Sequence, residues 1–312
     1  MSNIEPQCRL SDSRDCPAAA DAPVSELIPA REAVLGKDMV IRRALPSRHR
    51  RMIGAWCFLD HAGPADVSAN PVDVGSHPHI GLQTFTWPVS GQLLHKDSLG
   101  SNQVIDPGQV NLMTAGRGIT HSEESPEGGP ACFEGAQLWI ALPDAHRHIE
   151  PAFENYPKQP QFDRDGFRIT VLAGEAFGER APARIYSPLV SVDFTTDGDA
   201  ATDLPLRSDF EYGLLVLQGE LTVARQSLVP GQLLYLGRGR ESLPVRADGA
   251  VRVLLIGGEP FGEEILLWWN YVARTKAEIA EADAAWKRHD ARFGEVPGYA
   301  GPPLTSPALP WR

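Results

Sequence analysis

The sequence has few cysteines and none in a paired motif. Its 312 residues include four cysteines, and none of them form a CxxC pair. Disulfide frameworks are typical of much smaller secreted chains, so reduced thiols in a cytosol fit this composition better. The first 23 residues contain no apolar run of signal-peptide length, and no segment is apolar enough to span a bilayer. We therefore expect a soluble, cytoplasmic protein.

Positive charge is also scarce. Lysine and arginine total 29 against 40 aspartates and glutamates, a formal net charge of -11. Because an acidic surface repels phosphate backbones, direct binding of nucleic acid is disfavoured. One basic stretch interrupts this pattern and contains Arg42, Arg43, Arg48, His49, Arg50 and Arg51. Such a run is more typical of a solvated loop, with a functional basic patch as the alternative.

Long hydrophobic runs are absent, and short apolar runs separated by turn residues take their place. The chain has 29 glycines and 27 prolines, which punctuate strand-like segments such as 54–58, 82–87, 137–142, 212–223 and 251–256. Many short strands at this spacing predict an all-β protein built from antiparallel sandwiches or jelly rolls.

Composition also divides the chain. Residues 1–24 are rich in Ser, Asp, Ala and Pro, which predicts a flexible tail. A segment with four prolines at 143–163 predicts a linker between two domains. We therefore expect a first domain over 25–150 and a second over 151–312.

The two halves share a rhythm of strand, Pro-Gly turn and strand. Pro107-Gly108 and Pro230-Gly231 occupy similar places in it, which favours duplication of one barrel. Near the end the apolar period becomes helical. Thr275 and Glu278 have the spacing of a capping box, which predicts a short C-terminal helix near 275–289.

Two histidine-containing pairs carry the clearest chemical signal. His77 and His79 are separated by one residue, and so are His121 and Glu123. In a strand, residues i and i+2 project to the same face, so each pair would point into a barrel together. Three imidazoles and one carboxylate are a sufficient shell for one metal ion with coordination positions left open.

The remaining histidines lack such a context, although one alternative stays open. His146 and His148 also have i, i+2 spacing, but they follow Pro143 in the predicted linker, where we expect them to be exposed. No histidine or cysteine occurs between His148 and His289. We therefore expect the second barrel to be structural or an interaction surface, without a metal.

The segment from Phe58 to about Leu142 resembles the pirin family of the cupin superfamily. The motifs that carry the resemblance are FLDHAGP at 58–64, HPHIG at 77–81, HKDSLG at 95–100 and MTAGRGITHSE at 113–123, with GGEP at 257–260 and WWNYVART at 268–275 in the second half. The resemblance implies two cupin barrels packed face to face, with one metal ion, usually Fe²⁺, in the first barrel only. Another divalent transition metal is the alternative.

The resemblance also implies ligand roles for His77, His79, His121 and Glu123. Many relatives keep a glutamate four positions beyond the second histidine, where this sequence has Gln83. We interpret Gln83 as a neutral neighbour that hydrogen-bonds near the ligands without adding charge. Aromatic and sulfur-bearing candidates for the pocket wall are Trp56, Phe58, Phe85 and Met113, for which plain barrel core is the alternative interpretation.

Two functions follow as expectations from the resemblance. The first is a quercetin 2,3-dioxygenase, with a flavonol-like substrate, dioxygen and Glu123 as general base. The second is a regulatory protein in which redox-sensitive iron controls binding to a transcription factor or metabolic enzyme. A cavity above the metal that admits a three-ring flavonol would favour the first function, and a sealed site the second.

Overall fold

The computed structural model describes residues 8–35 and 39–311, and almost every element in it is a β-strand. The strands before residue 157 are β1 (Ser11–Asp12), β2 (Glu26–Pro29), β3 (Arg31–Leu35), β4 (Met39–Leu45), β5 (Trp56–Asp66), β6 (Asp73–His79), β7 (Leu82–Ser90), β8 (Leu93–Asp97), β9 (Asn102–Ile105), β10 (Val110–Thr114), β11 (Ile119–Glu124), β12 (Cys132–Ala141) and β13 (Ala152–Tyr156).

The second half continues the pattern and ends with an α-helix, α1 (Lys276–Lys287). Its strands are β14 (Gln161–Arg164), β15 (Phe167–Ala173), β16 (Glu175–Ala176), β17 (Glu179–Arg180), β18 (Leu189–Thr196), β19 (Asp199–Pro205), β20 (Glu211–Gln218), β21 (Leu221–Val223), β22 (Gln226–Leu228), β23 (Gln232–Leu236), β24 (Ser242–Asp248), β25 (Val251–Gly258), β26 (Leu266–Trp268) and β27 (Tyr271–Ala273). The all-β prediction is confirmed.

Each half forms a barrel from a seven-stranded and a four-stranded sheet. In the first barrel the orders are β13-β10-β7-β12-β5-β4-β3 and β6-β11-β8-β9. In the second barrel they are β2-β23-β20-β25-β18-β15-β14 and β19-β24-β21-β22. The strands correspond one to one, as duplication of one barrel predicts.

The two barrels exchange edge strands. Strand β2 precedes the first barrel but pairs with β23 of the second, and β13 pairs with β10 of the first. Strand β13 lies inside the predicted linker and beyond the predicted boundary at residue 150. Pairing satisfies the backbone groups that would otherwise be exposed along the edges of β10 and β23, which explains why these segments are ordered.

The predicted flexible tail also contains a paired strand within residues 8–24, the part of it that the structure describes. Strand β1 pairs with β26, and Cys8 is buried with its Sγ accepting a hydrogen bond from the Trp269 amide at 3.1 Å. The polar composition of residues 8–24 concealed these backbone pairings. This segment therefore packs against the protein rather than extending into solvent.

The seven-stranded sheets pack against each other and form the core between the barrels. Trp56, Phe85 and Leu138 of the first barrel meet Leu215 and Ile256 of the second in one buried cluster. Both faces of the first seven-stranded sheet are consequently covered, one by its own barrel and the other by the second.

The basic stretch is a solvated loop only in part, because Arg48 is exposed whereas Arg43 and Arg50 are buried. Arg43, on β4, has only 2% of its surface exposed, and Arg50 only 4%. The Arg43 guanidinium forms a bidentate pair with Asp60 at 2.7 and 2.8 Å, and Arg50 lies 3.8 Å from the centre of the Tyr235 ring. Paired or stacked guanidinium groups tolerate burial, which charge counting along the sequence cannot reveal.

Helix α1 begins as the capping pattern predicted. Thr275 Oγ1 accepts a hydrogen bond from the Glu278 amide at 3.2 Å. The Glu278 carboxylate reaches one residue further back than in a capping box and accepts from the Arg274 amide at 3.1 Å. None of the described residues form a helix with the length and apolar character needed to cross a membrane.

Candidate metal centre

Three histidines meet inside the first barrel. His77 and His79 lie on β6 and His121 on β11, where His121 is directly opposite His77 in the antiparallel pair. All three have 0% exposed surface, and their ligand atoms lie within 4.8 Å of one another. His77 and His79 are separated by one residue, Pro78, and alternate residues of a strand point to the same face. Both imidazoles therefore project to one side of β6.

Backbone carbonyl groups orient two of these imidazoles. His77 Nδ1 is 2.7 Å from the Gly75 carbonyl oxygen, and His79 Nδ1 is 2.9 Å from the Asn270 carbonyl oxygen. Because a carbonyl oxygen can only accept, each Nδ1 carries the proton in these bonds. The Nε2 lone pairs of His77 and His79 are therefore available to the interior of the cluster.

The Asn270 carbonyl comes from a distant part of the chain. Trp269 and Asn270 form the two-residue turn between β26 and β27, and Trp269 adopts a left-handed φ of 53°. This turn places the carbonyl against His79, 191 residues earlier in the sequence. The C-terminal segment thus completes the support of the first barrel's histidines.

A histidine–aspartate pair supports His121. His121 Nδ1 is 3.4 Å from His95 Nδ1, and His95 Nε2 is 3.1 Å from Asp97 Oδ2. An ionised carboxylate only accepts, so His95 donates from Nε2 and its Nδ1 accepts from His121. This arrangement leaves His121 Nε2 unprotonated, 3.0 Å from His79 Nε2.

Burial keeps these imidazoles neutral. It lowers the pKa of His77 to about 4, and it holds the pKa values of His79 and His121 well below 6.5, with neighbouring imidazoles adding to the effect. Burial would raise the pKa of Asp97, but the hydrogen bond from His95 brings that pKa below its ordinary value. Neutral imidazole is the form that binds a metal ion.

The geometry fits a divalent transition-metal ion. His77 Nε2 is buried and has no hydrogen-bond partner among residues 8–35 and 39–311. The 3.0 Å between His79 Nε2 and His121 Nε2 is close to the roughly 3 Å that separates two nitrogens bound at right angles with bonds of about 2.1 Å. Three converging lone pairs without a shared proton are best satisfied by a cation.

Glu123 lies beside the cluster on β11. It has 1% exposed surface, it lies opposite His95 in the neighbouring strand, and its charge opposes the fall in the pKa of His77. A bulge after His121 shifts the register, which places Glu123 opposite Val74. The group within 4.8 Å comprises the three histidines and does not include Glu123.

Aromatic rings cover the centre. The Phe58 and Trp139 rings stack with centroids 4.0 Å apart, and Trp139 meets His79 edge-on at 5.1 Å. Phe153 of the exchanged strand β13 stacks on His95 at 4.4 Å. Met113 packs in the same cluster as Phe58 and Trp139.

Other proposed neighbours of the metal lie on the opposite face of the sheet. Trp56 and Phe85 make an edge-on pair in the core between the barrels, so they do not line the centre. Gln83 shares this outward face, and its Nε2 donates to Thr114 Oγ1 at 2.9 Å and to the Arg184 carbonyl oxygen at 3.0 Å. The interpretation of Gln83 as a hydrogen-bonding neighbour of the ligands is therefore wrong.

His95 and Asp97 were not predicted as part of the site. They have the same i, i+2 spacing as the other pairs, and this spacing was the signal that could have identified them. His61 is also buried, but it contacts Glu134 at 3.0 Å, away from the histidine cluster. His148 is exposed, and His146 lies against the Tyr186 ring at 4.7 Å.

Family comparisons agree with this architecture. The Pirin family model matches residues 38–140, and the Pirin C-terminal cupin domain matches residues 191–294. The first match spans the strands that carry all the histidines of the cluster.

Individual relatives cover nearly the whole chain. A Pseudomonas aeruginosa protein named provisionally as a quercetin 2,3-dioxygenase is 51% identical, over 100% of this chain and 99% of its own length. Human pirin is 30% identical, over 81% of this chain and 88% of its own. The crystal structure of quercetin 2,3-dioxygenase from Acinetobacter baumannii superposes with a TM-score of 0.90 at 49% identity, covering 92% of this chain and 96% of that one. This chain therefore belongs to the pirin family of two-barrel cupins.

Proposed function

We propose that this protein is a dioxygenase that opens the ring of quercetin-like flavonols, with one Fe²⁺ held by His77, His79, His121 and Glu123. The observation that carries the proposal is the buried cluster of three neutral imidazoles whose Nε2 atoms converge. The quercetin dioxygenase names of the two relatives that cover more than nine-tenths of this chain support the substrate class.

The protein's own groups would divide the work as follows. A bound ferrous ion would supply Lewis acidity toward the substrate oxygens and affinity for dioxygen. Glu123, nearly fully buried two residues after His121, would accept the proton of the flavonol 3-hydroxyl. Phe58 and Trp139 would exclude water on the side of His79 and offer ring faces to a planar substrate.

One observation favours the second candidate, a redox-sensitive regulatory protein. The three histidines have 0% exposed surface, as expected for a sealed iron site that communicates with a protein partner through small rearrangements. For a dioxygenase, the same burial requires side chains above the centre to move before a flavonol reaches it.

Oxygen uptake decides between the two functions. Iron-loaded protein and quercetin should consume dioxygen and lose the flavonol absorbance together. The matched control substrate is luteolin, which lacks only the 3-hydroxyl, and the matched control protein is His77→Ala. Dioxygen uptake with quercetin but not with luteolin supports the dioxygenase function. No uptake with any flavonol, despite full iron loading, would reject it in favour of the regulatory function.

A further inference from the structure

A second site emerges where the N-terminal segment meets the first barrel. A cavity of about 690 Å³ lies there, and its lining includes five arginines and one histidine: Arg9, Arg31, Arg43, Arg48, Arg51 and His49. Most of these residues belong to the basic stretch that stood out in the sequence. The described segment at residues 9–11 supplies the facing wall.

The cavity is rich in positive charge although the chain as a whole is acidic. Among residues 8–35 and 39–311, no aspartate or glutamate lines the cavity, although the protein carries a net charge of -11. The charge of one lining residue, Arg43, is met by Asp60 behind it. Arg9, Arg48 and Arg51 form no ion pair with any carboxylate within residues 8–35 and 39–311. Like charges gathered in this way repel one another unless an anion joins them.

Local hydrogen bonds orient Arg48 and Arg51. Ser47 Oγ accepts from the amides of His49 and Arg50 at 3.1 and 3.0 Å, which holds the loop after β4. Arg51 Nη1 donates to the Ser47 carbonyl oxygen at 2.8 Å, and Arg48 Nε donates to His49 Nε2 at 3.0 Å. Groups held in this way lose little freedom when a ligand binds, which favours affinity.

A series of three side-chain contacts links the cavity to the metal centre. Arg43 lines the cavity, and its guanidinium lies 4.4 Å from the Phe58 ring centre. Phe58 stacks on Trp139 at 4.0 Å, and Trp139 meets His79 at 5.1 Å. These successive contacts connect the arginine-lined cavity to His79.

We propose that the cavity binds an organic anion with an aromatic body, of the aromatic carboxylate class. The planar fork of arginine matches a carboxylate with two parallel hydrogen bonds. Leu10 and Leu267 supply apolar surface for the ring, and the volume of about 690 Å³ lies within the range of small-molecule sites, well above the size of an inorganic anion. Identifying this anion with a substrate or product of the metal centre rests on the proposed function, whereas the binding itself does not.

Binding of 2-naphthoate to the full-length protein, followed by calorimetry, tests the ligand class. One site per chain is expected. Neutral 2-naphthamide, which has the same ring system, should bind at least about tenfold more weakly because it lacks the charge-assisted hydrogen bonds. Inorganic sulfate should compete only weakly because it lacks the ring. Equal affinity for naphthoate and naphthamide, or for naphthoate and sulfate, would overturn the proposal.

Paired variants locate the site. Replacing Arg48 and Arg51 together by glutamine should weaken naphthoate binding at least about tenfold. Arg225→Gln, which removes one positive charge from an exposed turn of the second barrel, should change it less than twofold. If the double variant is unfolded by circular dichroism, the exposed Arg48→Gln alone serves, with a loss of at least about threefold. Unchanged binding in the folded arginine variants would contradict the site.

The same titration with and without bound metal separates this proposal from the proposed function. The affinity for naphthoate should be equal within twofold in both forms, since the arginines hold the anion. Failure of flavonol turnover leaves this result untouched. Binding that appears only with metal would place the anion on the metal and reject the arginine site.

Discussion

The two barrels of this protein share one strand plan and differ in what their four-stranded sheets hold. Paired strands β6 and β11 place His77 opposite His121 in the first barrel. The corresponding strands β19 and β24 place Thr202 opposite Val245 and Leu204 opposite Leu243, all buried. A few inward positions on one strand pair thus decide whether the barrel encloses a metal ligand set or an apolar core.

The difference extends to the surroundings of those positions. The first barrel fixes the proton positions of its imidazoles with the Gly75 and Asn270 carbonyl oxygens and the His95–Asp97 pair. In the second barrel, apolar side chains such as Leu221 and Phe194 fill the space. The first barrel thus combines its candidate ligands with the outer hydrogen bonds that orient metal-binding histidines in proteins.

The largest expected effect comes from removing a ligand. His121→Ala should lower metal affinity by more than about a hundredfold, beyond the loss typical of changes outside the ligand shell. Thr202→Ala, at a buried position of the corresponding strand pair in the second barrel, should leave affinity unchanged. Competition with a chelator measures both. Metal loss in His146→Ala, or full retention in His121→Ala, would contradict the assignment.

The next largest effect distinguishes the proposed role of the Glu123 carboxylate as a base from the metal binding of the three histidines. Glu123→Gln keeps an oxygen of similar size but removes the proton acceptor. Flavonol turnover should fall by about a hundredfold or more, while much of the metal remains bound. Raising the pH should restore part of the rate because the substrate then ionises in solution. Equal turnover in both proteins would exclude Glu123 as the base.

A smaller effect is expected from the support of His121. His95→Ala should lower metal affinity about 10- to 100-fold because His121 loses the acceptor that fixes its tautomer. His95→Gln offers a carbonyl acceptor and should recover part of this loss. His61→Ala removes another buried histidine of the same barrel and should leave metal affinity unchanged. A similar loss in the His61 and His95 variants would indicate a general packing effect instead.

Truncating a core side chain of the second barrel should lower the stability of the protein and leave its metal affinity unchanged. Leu243→Ala creates a cavity in a fully packed core and should lower the free energy of unfolding by about 2–5 kcal/mol. Urea denaturation measures the loss, and the folded variant should still bind metal as the wild type does. Reduced metal affinity in the folded variant would show that the barrels are not independent in this respect.

The smallest expected effect is a pH dependence from Asp193 of the second barrel. Burial raises its pKa to about 6, although Arg252 lies 3.2 Å from Oδ1 and opposes this shift. The folded state binds the Asp193 proton more tightly than the unfolded state does. Protonation of Asp193 therefore stabilises the fold below about pH 4, and this contribution is lost as pH rises through about 6. Relative to Asp193→Asn, the wild type should therefore lose about 1–3 kcal/mol between pH 4 and 7. Parallel stability curves for the two proteins would exclude this role.

Local patterns sufficed for the fold class, the C-terminal helix and the three histidines. Strand alternation places His77 and His79 on one face, and it requires no knowledge of distant contacts. It does not say which face points inward. Both faces of β7 are buried, so the hydrophobic pattern could not show that Gln83 and Phe85 point toward the second barrel.

The remaining features depend on contacts between distant segments. Several of these contacts are made by backbone groups, which leave no signature in residue type. They are the Asn270 carbonyl, the exchanged strands β2 and β13, and the docked segment at 8–24. His95 and Asp97 had a local signature, but its meaning depended on the contact with His121 across the neighbouring strand. Side-chain chemistry was thus easier to predict than its backbone support.

Native mass spectrometry of the purified protein tests the central claim most directly. We expect one transition-metal ion per chain in the wild type and in Thr202→Ala, and none in His77→Ala or His121→Ala. Elemental analysis of the same samples identifies the ion. Two ions per chain, or one ion that persists in both histidine variants, would contradict a single metal centre in the first barrel.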